Sequence, residues 1–283
     1  MTFNPNNYLG ITNKPDQKLI CMMGLNVLED EGLALEVGTH LKKITDDLGL
    51  PYIFKASFDK ANRSSIKSYR GPGIDEGLKI LETVKSKLGV KIITDLHEPA
   101  QAERVAEIAD IVQIPAFLAR QTDLVIATAE AAQKHKRLIH IKKGQFIAPW
   151  DCKNMVNKVV EAIGENIVML CERGSSFGYN NLVVDMLAIK EMQKLDCPVT
   201  IDATHAVQLP GADPRTGGAS TGGRREGVPM IAKAAVAAGA DGIFLEFHPD
   251  PDKAKCDGPS CLALDDAEAL VKTLVKVKEA VAA

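Results

Sequence analysis

Long apolar stretches are absent from this sequence. No run approaches the roughly 18 apolar residues that a membrane-spanning helix needs. The N-terminal stretch MTFNPNNYLGITNKPDQK lacks the apolar segment of a signal peptide. We therefore expect a cytoplasmic protein with no membrane partner.

Cysteine and net charge are also low. The six cysteines are scattered through 283 residues without a C-x-x-C pair, and the formal net charge is −3. Scattered cysteines in a chain of this length predict reduced, buried thiols and no disulfide scaffold. A charge close to zero argues against nucleic acid as a partner. The glycine motifs G-x-G-x-x-G and G-x-x-x-x-G-K-[ST] are absent as well, so we expect no nucleotide cofactor.

The chain instead contains eight short, nearly continuous apolar runs that are rich in β-branched residues. They cover residues 19–23, 52–56, 91–95, 111–115, 138–142, 167–171, 199–202 and 242–246. Such runs are typical of strands buried on both faces, and segments with helical spacing of apolar residues separate them. The alternation predicts one domain over residues 1–283, a single (β/α)8 TIM barrel with a short N-terminal extension over about 1–17. An open, doubly wound sheet is the alternative, because the strand count does not show closure.

Polar residues follow every one of these runs. Active sites of (β/α)8 barrels lie at the carboxyl ends of the strands, so we predict one shared site there. In strand order the candidates are Asn26 and Glu29; Lys55, Lys60, Asn62, Arg63 and Ser64; Asp95, His97 and Glu98; Arg120 and Gln121; Lys142, Lys143 and Gln145; Glu172 and Arg173; Asp202 and His205; and Glu246, His248, Asp250 and Asp257.

Positive charge is concentrated at three places among these candidates. Segment 55–70 holds five cations and one acid, and Lys142 and Arg173 follow two later strands. Arginine and lysine beside serine and asparagine donors bind phosphates and carboxylates. Three clusters predict more than one anionic group, such as two phosphates or a phosphate and a carboxylate. For individual residues of 55–70, a solvated loop is the alternative.

A second group, His205, Glu246 and Asp257, follows the last two strands. An imidazole and carboxylates from adjacent strand ends either bind a divalent metal or act as acid and base. A structural histidine is the alternative. The glycine-rich segment 211–223 is a candidate lid over the site, with an ordinary surface loop as the alternative.

Longer stretches of the chain match a known enzyme family. They are GLNVLE (24–29), FKASFDKANRSSIKSYRGPG (54–73), TDLHEP (94–99), QIPAFLARQTDL (113–124), KKGQF (142–146), ERGSSFGYNNLVVDM (172–186), DATHAVQLPG (202–211), GGRRE (222–226) and HPDPDKAKCDGPS (248–260). On these stretches the sequence resembles the 3-deoxy-D-manno-octulosonate 8-phosphate synthases, also called 2-dehydro-3-deoxyphosphooctonate aldolases. The resemblance extends through almost the whole chain, and the family's (β/α)8 fold agrees with the strand pattern.

The resemblance implies a reaction. Phosphoenolpyruvate would condense with D-arabinose 5-phosphate and water to give 3-deoxy-D-manno-octulosonate 8-phosphate and inorganic phosphate, a step of lipopolysaccharide biosynthesis. Lys55 and Lys60 would face the phosphoenolpyruvate carboxylate, and Lys142 and Arg173 its phosphate, with Gln145 nearby. The catalytic residues that the resemblance implies are Asn26, Lys60, Asp95, His205, Glu246 and Asp257.

The resemblance also implies the sugar site. Asn62, Arg63 and Ser64 would hold the sugar, the last two at its phosphate, and Asp95 would contact its hydroxyls or carbonyl end. Further substrate contacts would come from Phe117, Arg120 and Phe177. Because Phe117, Arg120 and Gln121 lie near a neighbouring subunit's site in this family, we expect a homo-oligomer, usually a tetramer.

The family has two classes, which differ at the position of Asn26. Metal-dependent members carry cysteine there and complete a metal site with His, Glu and Asp. An amide is a poor ligand for a thiophilic ion. The resemblance therefore implies the metal-independent class, with no cofactor and with His205, Glu246 and Asp257 as the remnant of a metal site. Gly144, where metal-independent members commonly have proline, is more typical of the other class.

Two other functions compete with this one. A related synthase would use erythrose 4-phosphate as the sugar, although the stretch KANRSS and Asn26 argue against it. A non-catalytic barrel that binds sugar phosphates is the second alternative. The charged residues at the strand ends, Lys60 and Arg173 among them, argue against that one.

Overall fold

Eight parallel strands alternate with eight longer helices in the computed structural model, which describes residues 18–212 and 221–282. The strands are β1 (Ile20–Val27), β2 (Tyr52–Ser57), β3 (Lys91–Asp95), β4 (Ile111–Ile114), β5 (Leu138–Lys142), β6 (Val168–Glu172), β7 (Val199–Asp202) and β8 (Gly242–His248). The helices are α1 (Glu31–Asp47), α2 (Ile74–Leu88), α3 (Ala102–Ile108), α4 (Thr122–His135), α5 (Lys153–Ile163), α6 (Leu187–Gln193), α7 (Val228–Ala237) and α8 (Ala267–Ala282).

The strands close into a barrel. Each pairs in parallel with the next, and β1 pairs with β8, from Ile20 opposite Gly242 to Gly24 opposite Glu246. The closure confirms the predicted (β/α)8 barrel over the open sheet. All eight predicted strands are present, and β1 and β8 extend beyond the predicted runs. The predicted exit residues Asn26 and His248 therefore lie within strands.

Short elements are added at the carboxyl end of the barrel. A helix of one turn, Ala203–Ala206, directly follows β7, and Leu262–Ala263 pairs with the end of β8. Two small antiparallel ribbons join Ser175–Ser176 to Leu182–Val183 and Gln208–Ala212 to Thr221–Gly223. The candidate lid 211–223 lies largely outside the described residues, as does the predicted extension over about 1–17.

Polar side chains meet inside the barrel below this end. His140 Nε2 lies 2.8 Å from Thr200 Oγ1, its Nδ1 lies 3.3 Å from Gln113 Oε1, and its ring stacks on Phe244 at 6.0 Å. Burial lowers the pKa of His140 to about 3, so the imidazole is neutral at pH 7. These contacts join four strands across the interior.

Helix α1 shows how the sequence sets an outer element. Asp30 caps it by accepting a hydrogen bond from the Leu33 backbone N–H at 2.8 Å. Val37, Leu41 and Ile44 recur at helical spacing and are buried in the core, so one apolar face packs on the strands.

The state of the cysteines and the character of the helices also bear on the sequence predictions. All six cysteines are free and buried, as predicted. Within the described ranges, no helix combines the length and apolar character needed to cross a membrane.

Candidate active site

A cavity of about 390 Å³ opens at the carboxyl end of the barrel. The predicted site residues that line it are Lys55, Lys60, Asn62, Arg63, Ser64, Asp95, Phe117, Lys142, Gln145, Arg173, His205 and Asp257. Asn26 and Glu246 lie beneath, in contact with lining residues. The structure thus brings together nearly all of the residues that the resemblance assigns to the site, whereas the strand-end candidates Glu29, Glu98, Gln121, His248 and Asp250 are outside the cavity lining. Arg120 and Phe177 are outside the cavity lining.

The floor of the cavity depends on a close approach of two strands. Gly24 lies opposite Lys55 on one side and Glu246 on the other. A Cβ on Gly24 would lie 2.1 Å from the Lys55 carbonyl oxygen, so a larger residue would push the strands apart. Lys55 Nζ donates to the Asn26 carbonyl oxygen at 2.8 Å and to Glu246 Oε1. Burial lowers the pKa of Lys55 to about 8.

Asn26, His205, Glu246 and Asp257 form what we call the carboxylate cluster. Asn26 Nδ2 donates to Glu246 Oε2 and, at 3.1 Å, to Asp257 Oδ2. His205 Nε2 lies 3.6 Å from Glu246 Oε2 and 3.7 Å from Asp257 Oδ2. Burial alone would raise the pKa of Glu246, but His205 and Lys55 lower it below its usual value. The two carboxylates are therefore held ionised by the protein's own donors.

The carboxylate cluster fits a divalent metal poorly. A ligating side chain would have to present a lone pair, whereas Asn26 directs its NH₂ group between the two carboxylates. Among the described residues, the group of three metal-ligand side chains whose donor atoms all lie within 4.8 Å of one another is elsewhere, at Glu103, Glu107 and His135. The donors of the carboxylate cluster are thus spread around the amide.

Lys142, Arg173 and Gln145 form what we call the basic cluster, at the ends of β5 and β6. Lys142 Nζ donates to Asp202 Oδ2 at 2.5 Å and lies 3.8 Å from the centre of the Phe244 ring. Arg173 donates through Nη2 to Gln208 Oε1 at 3.0 Å. Its Nε and Nη1 are buried and have no hydrogen-bond partner in the part of the chain that is described. These N–H groups suit an anionic ligand.

Asp202 joins the two clusters. Its Oδ2 accepts from His205 Nδ1 at 2.7 Å as well as from Lys142, and its Oδ1 accepts from the His205 backbone N–H at 2.9 Å. Burial would raise the pKa of Asp202, but His205 and Lys142 hold it well below its usual range. Asp202 was predicted only as a strand-end residue, without a role of its own. Its spacing to His205, with the aspartate as the N-cap of a one-turn helix, is the signal that could have assigned it.

The loop after β2 supplies cations from a third direction. Lys60 and Arg63 line the cavity, whereas Arg70 pairs with Asp59 and Lys67 is exposed outside it. Arg63 donates to Cys256 Sγ, and its buried Nε is without a partner in the described residues. Only part of the predicted cation-rich segment therefore belongs to the site.

Asp95 and His97 lie beside this loop. Asp95 Oδ2 is 3.1 Å from His97 Nε2, while its buried Oδ1 has no partner among the described residues. Burial would raise the pKa of Asp95, but His97 and Lys60 hold it well below its usual range. Burial alone would lower the pKa of Lys60, but the nearby carboxylates of Glu246 and Asp95 raise it above its usual value. The lining also includes His97, one of the strand-end candidates, and residues that were not predicted for the site, among them Gln113, Gln208 and Thr221.

Large apolar side chains are exposed in the loops after β4, β5 and β6. Phe117 is 50% exposed at the edge of the cavity, and Trp150 is 61% exposed in the short turn Pro149–Cys152. Phe146 and Phe177 are exposed as well. Exposed aromatic groups of this kind are candidates for contacts with a neighbouring molecule where they form a patch.

A model of the DAHP synthetase I family matches residues 3–283. The chain belongs to the DAHP synthetase I family. Within it, the chain is 53% identical to a 2-dehydro-3-deoxyphosphooctonate aldolase of Pseudomonas fluorescens (strain SBW25), over 94% of this chain and 92% of that protein. It is 54% identical to the protein of that name from Hahella chejuensis, over 92% and 89%. The one from Desulfotalea psychrophila is 51% identical, over 94% and 91%. Three relatives named 2-dehydro-3-deoxyphosphooctonate aldolase thus align with almost the whole length of this chain.

Proposed function

We propose that this chain is a 3-deoxy-D-manno-octulosonate 8-phosphate synthase. It joins phosphoenolpyruvate, D-arabinose 5-phosphate and water, and releases inorganic phosphate. The relatives above support this, because they are more than 50% identical to this chain over more than nine-tenths of its length. The observation that carries the proposal is the buried, partly unpaired guanidinium of Arg173 beside Lys142, across the cavity from Arg63. Two separated anion sites fit two phosphorylated substrates.

Phosphoenolpyruvate occupies the inner part of the cavity in this proposal. Arg173 and Lys142 hold its phosphate, with Gln145 at the side, and Lys55 and Lys60 face its carboxylate. A charged substrate is then held by charges that the fold already aligns, so little reorganisation is needed during the reaction.

The sugar occupies the outer part. Arg63 and Ser64 take its phosphate, Asn62 contacts the chain of hydroxyl groups, and Asp95 accepts from a hydroxyl near the carbonyl end. The unpartnered Oδ1 of Asp95 supports this assignment. Phe117 lies at the edge of the same cavity.

The chemistry follows from this arrangement. C3 of phosphoenolpyruvate attacks C1 of the open-chain sugar, and a proton is delivered to the aldehyde oxygen as the C–C bond forms. Positive charge develops at C2, and water adds there with loss of a proton. The resulting hemiketal phosphate loses the proton of its C2 hydroxyl group and breaks the C2–O bond to the phosphate group, which gives the ketone and inorganic phosphate. The carboxylate cluster, with Lys60 and Asp95, holds the aldehyde and the water and exchanges these protons.

We assign the chain to the metal-independent class. The supporting observation is the Asn26 amide, which donates to both carboxylates in the place where a thiolate would complete a metal site. No step above uses a metal ion.

We also propose a homotetramer. The exposed aromatic groups at Phe117, Phe146 and Trp150 support an interface, through which Phe117 and Arg120 would reach the sugar site of a neighbouring subunit. Light scattering should give about four times the 30.5 kDa chain mass. A fully active 30 kDa species at nanomolar concentration would contradict the tetramer.

Phosphate release tests the function directly. The chain should release phosphate from phosphoenolpyruvate only when D-arabinose 5-phosphate is present. Erythrose 4-phosphate is the competing substrate, and a higher kcat/KM with it would assign the related synthase activity instead. A folded protein that binds phosphoenolpyruvate and a sugar phosphate but releases no inorganic phosphate with either sugar would indicate a non-catalytic barrel.

A further inference from the structure

The ends of β5 and β6 each carry two adjacent charged residues. In each pair, one member lines the cavity: Lys142 on β5 and Arg173 after β6. The other members, Lys143 and Glu172, are 0% and 1% exposed and lie behind the cavity wall. The mechanism above does not use them. Buried charges are costly, so a role for this second pair has to be sought in what it contacts.

Glu172 holds the turn from which Arg173 projects. Its Oε1 accepts from the backbone N–H groups of Arg173, at 3.0 Å, and Gly174, at 2.6 Å. Gly174 adopts a φ of +90° against Leu182, a conformation that favours glycine. One carboxylate oxygen therefore fixes two successive peptide groups of a tight turn, and with them the direction of the Arg173 side chain.

Lys143 holds Glu172 and joins the two loops. Its Nζ lies 3.6 Å from Glu172 Oε2 and 3.0 Å from Ser175 Oγ. Carbonyl oxygens from both loops surround it, those of Gly144 and Ile147 at 3.4 Å and that of Gly174 at 3.5 Å. The ammonium thus ties the β5 loop, which carries Gln145, to the turn of Arg173.

A purely stabilising role does not account for this pair. Replacing a buried ion pair by apolar side chains of similar volume is often neutral or stabilising, so such a pair is weak evidence for stability. Its geometry is specific instead: Oε1 serves the turn, and Oε2 faces the ammonium. Burial raises the pKa of the Glu172 carboxyl, while Lys143 and the two backbone N–H groups oppose that rise.

We propose that Glu172 is a positioning residue that aims Arg173 at the phosphate of phosphoenolpyruvate, and that Lys143 holds Glu172 in place. The proposal rests on the function proposed above, since it concerns the same phosphate site. It predicts that the acceptor oxygen at position 172 matters for phosphoenolpyruvate and not for the sugar.

Two double variants separate the acceptor from the charge. Lys143→Met with Glu172→Gln removes both charges but keeps an amide oxygen that accepts from the turn. Lys143→Met with Glu172→Met removes the charges and the acceptor. We expect the first to keep the phosphoenolpyruvate KM within about threefold of wild type. In the second, the KM rises by roughly 10-fold, as for loss of one ordinary hydrogen bond. The sugar KM should stay constant in both.

A second comparison covers the case in which the methionine pair does not fold. Glu172→Asp keeps the charge but withdraws the carboxylate from the turn, so it should raise the phosphoenolpyruvate KM, whereas the Gln double variant should not. Equal KM values in the Gln and Met double variants would overturn the proposal. Equal increases for both substrates, with a lowered thermal midpoint, would also overturn it, because they indicate a structural role alone.

Calorimetry keeps this test distinct from that of the proposed function. Phosphoenolpyruvate binding can be measured in each variant without turnover. Wild type could bind phosphoenolpyruvate but release no phosphate with arabinose 5-phosphate, and the proposed function would then be wrong. The phosphoenolpyruvate affinities of the two double variants would still test the role of Glu172. If wild type does not bind phosphoenolpyruvate, both proposals are wrong.

Discussion

The carboxylate cluster and the basic cluster share one cavity and are joined through Asp202, yet they use their hydrogen-bonding groups differently. In the carboxylate cluster the acids face an amide, an imidazole and the ammonium of Lys55, all from this chain. In the basic cluster, Arg173 has one internal acceptor and two buried N–H groups without one in the described residues. The acids of the first cluster are paired with the protein's own donors, whereas the Arg173 guanidinium of the second is open to an anion.

This difference suggests a division of work. A cluster with matched charges can hold neutral groups, such as an aldehyde or water, and exchange protons with them. A cluster of unmatched donors recovers its desolvation cost only when an anion binds. The following predictions test each side of this comparison, in order of decreasing expected effect.

Removing an open donor should have the largest effect. Arg173→Ala should raise the phosphoenolpyruvate KM, and Arg63→Ala the arabinose 5-phosphate KM, each by roughly 10- to 150-fold. That range corresponds to about 1.5–3 kcal/mol for a charge-assisted contact. Steady-state kinetics with each substrate varied in turn measures both. Lys67→Ala, which removes an exposed cation from the same loop as Arg63, is the control and should leave both KM values unchanged. Arginine variants that affect one and the same substrate would contradict separate anion sites.

The barrel interior beneath both clusters should show a pH-dependent effect. The pKa of His140 falls from an ordinary 6.5 to about 3 in the folded state, so between these values the unfolded chain binds more protons. Its contribution to stability is complete above pH 6.5 and is lost as the pH falls toward 3. From pH 7 to 5 the free energy of unfolding of wild type should fall by about 2 kcal/mol more than that of His140→Gln.

Urea unfolding at the two pH values checks this prediction. His40→Gln is the matched control, because His40 is exposed on α1. The free energy of unfolding of this variant should change with pH as that of wild type does. A His140→Gln protein with the same pH dependence as wild type would mean that His140 titrates normally in the folded state.

The carboxylate cluster should respond least to a chelator. EDTA or dipicolinate should change the wild-type rate by less than about twofold, because Asn26 offers no thiolate to a metal ion. Asn26→Cys should bind about one zinc ion per chain, measured by metal analysis after dialysis. Asn26→Ser should not bind zinc, because serine is similar in size to cysteine but offers no thiolate. Near-total loss of wild-type activity in chelator, restored by manganese or zinc, would place the protein in the metal-dependent class.

The strands could be predicted from the sequence because burial on both faces leaves a continuous apolar run. Barrel closure could not, since it depends on pairing between Ile20 and Gly242, at opposite ends of the described chain. The extension of β1 to Val27 was also missed. Gly24 and Asn26 interrupt the apolar run, so the pattern ends the strand too early.

The types of side chain in the site were predictable, but their directions were not. Lys142 and Lys143 are chemically alike and adjacent, and only one lines the cavity. Strand alternation ceases where β5 ends, so the sequence cannot assign the second lysine to the wall. Gln208 and Thr221 were missed for a similar reason, because they enter the site from a ribbon that periodicity does not reveal.

Trp150 is the single tryptophan of the chain, and it lies in the same loop as Gln145, with most of its indole in contact with solvent. Tryptophan fluorescence of this protein therefore originates at one place, in the loop that also carries Gln145. Any ligand or neighbouring subunit that covers the loop should move the emission maximum to shorter wavelength. The protein thus carries an intrinsic optical reporter, with which ligand titrations and subunit assembly can be followed without a label.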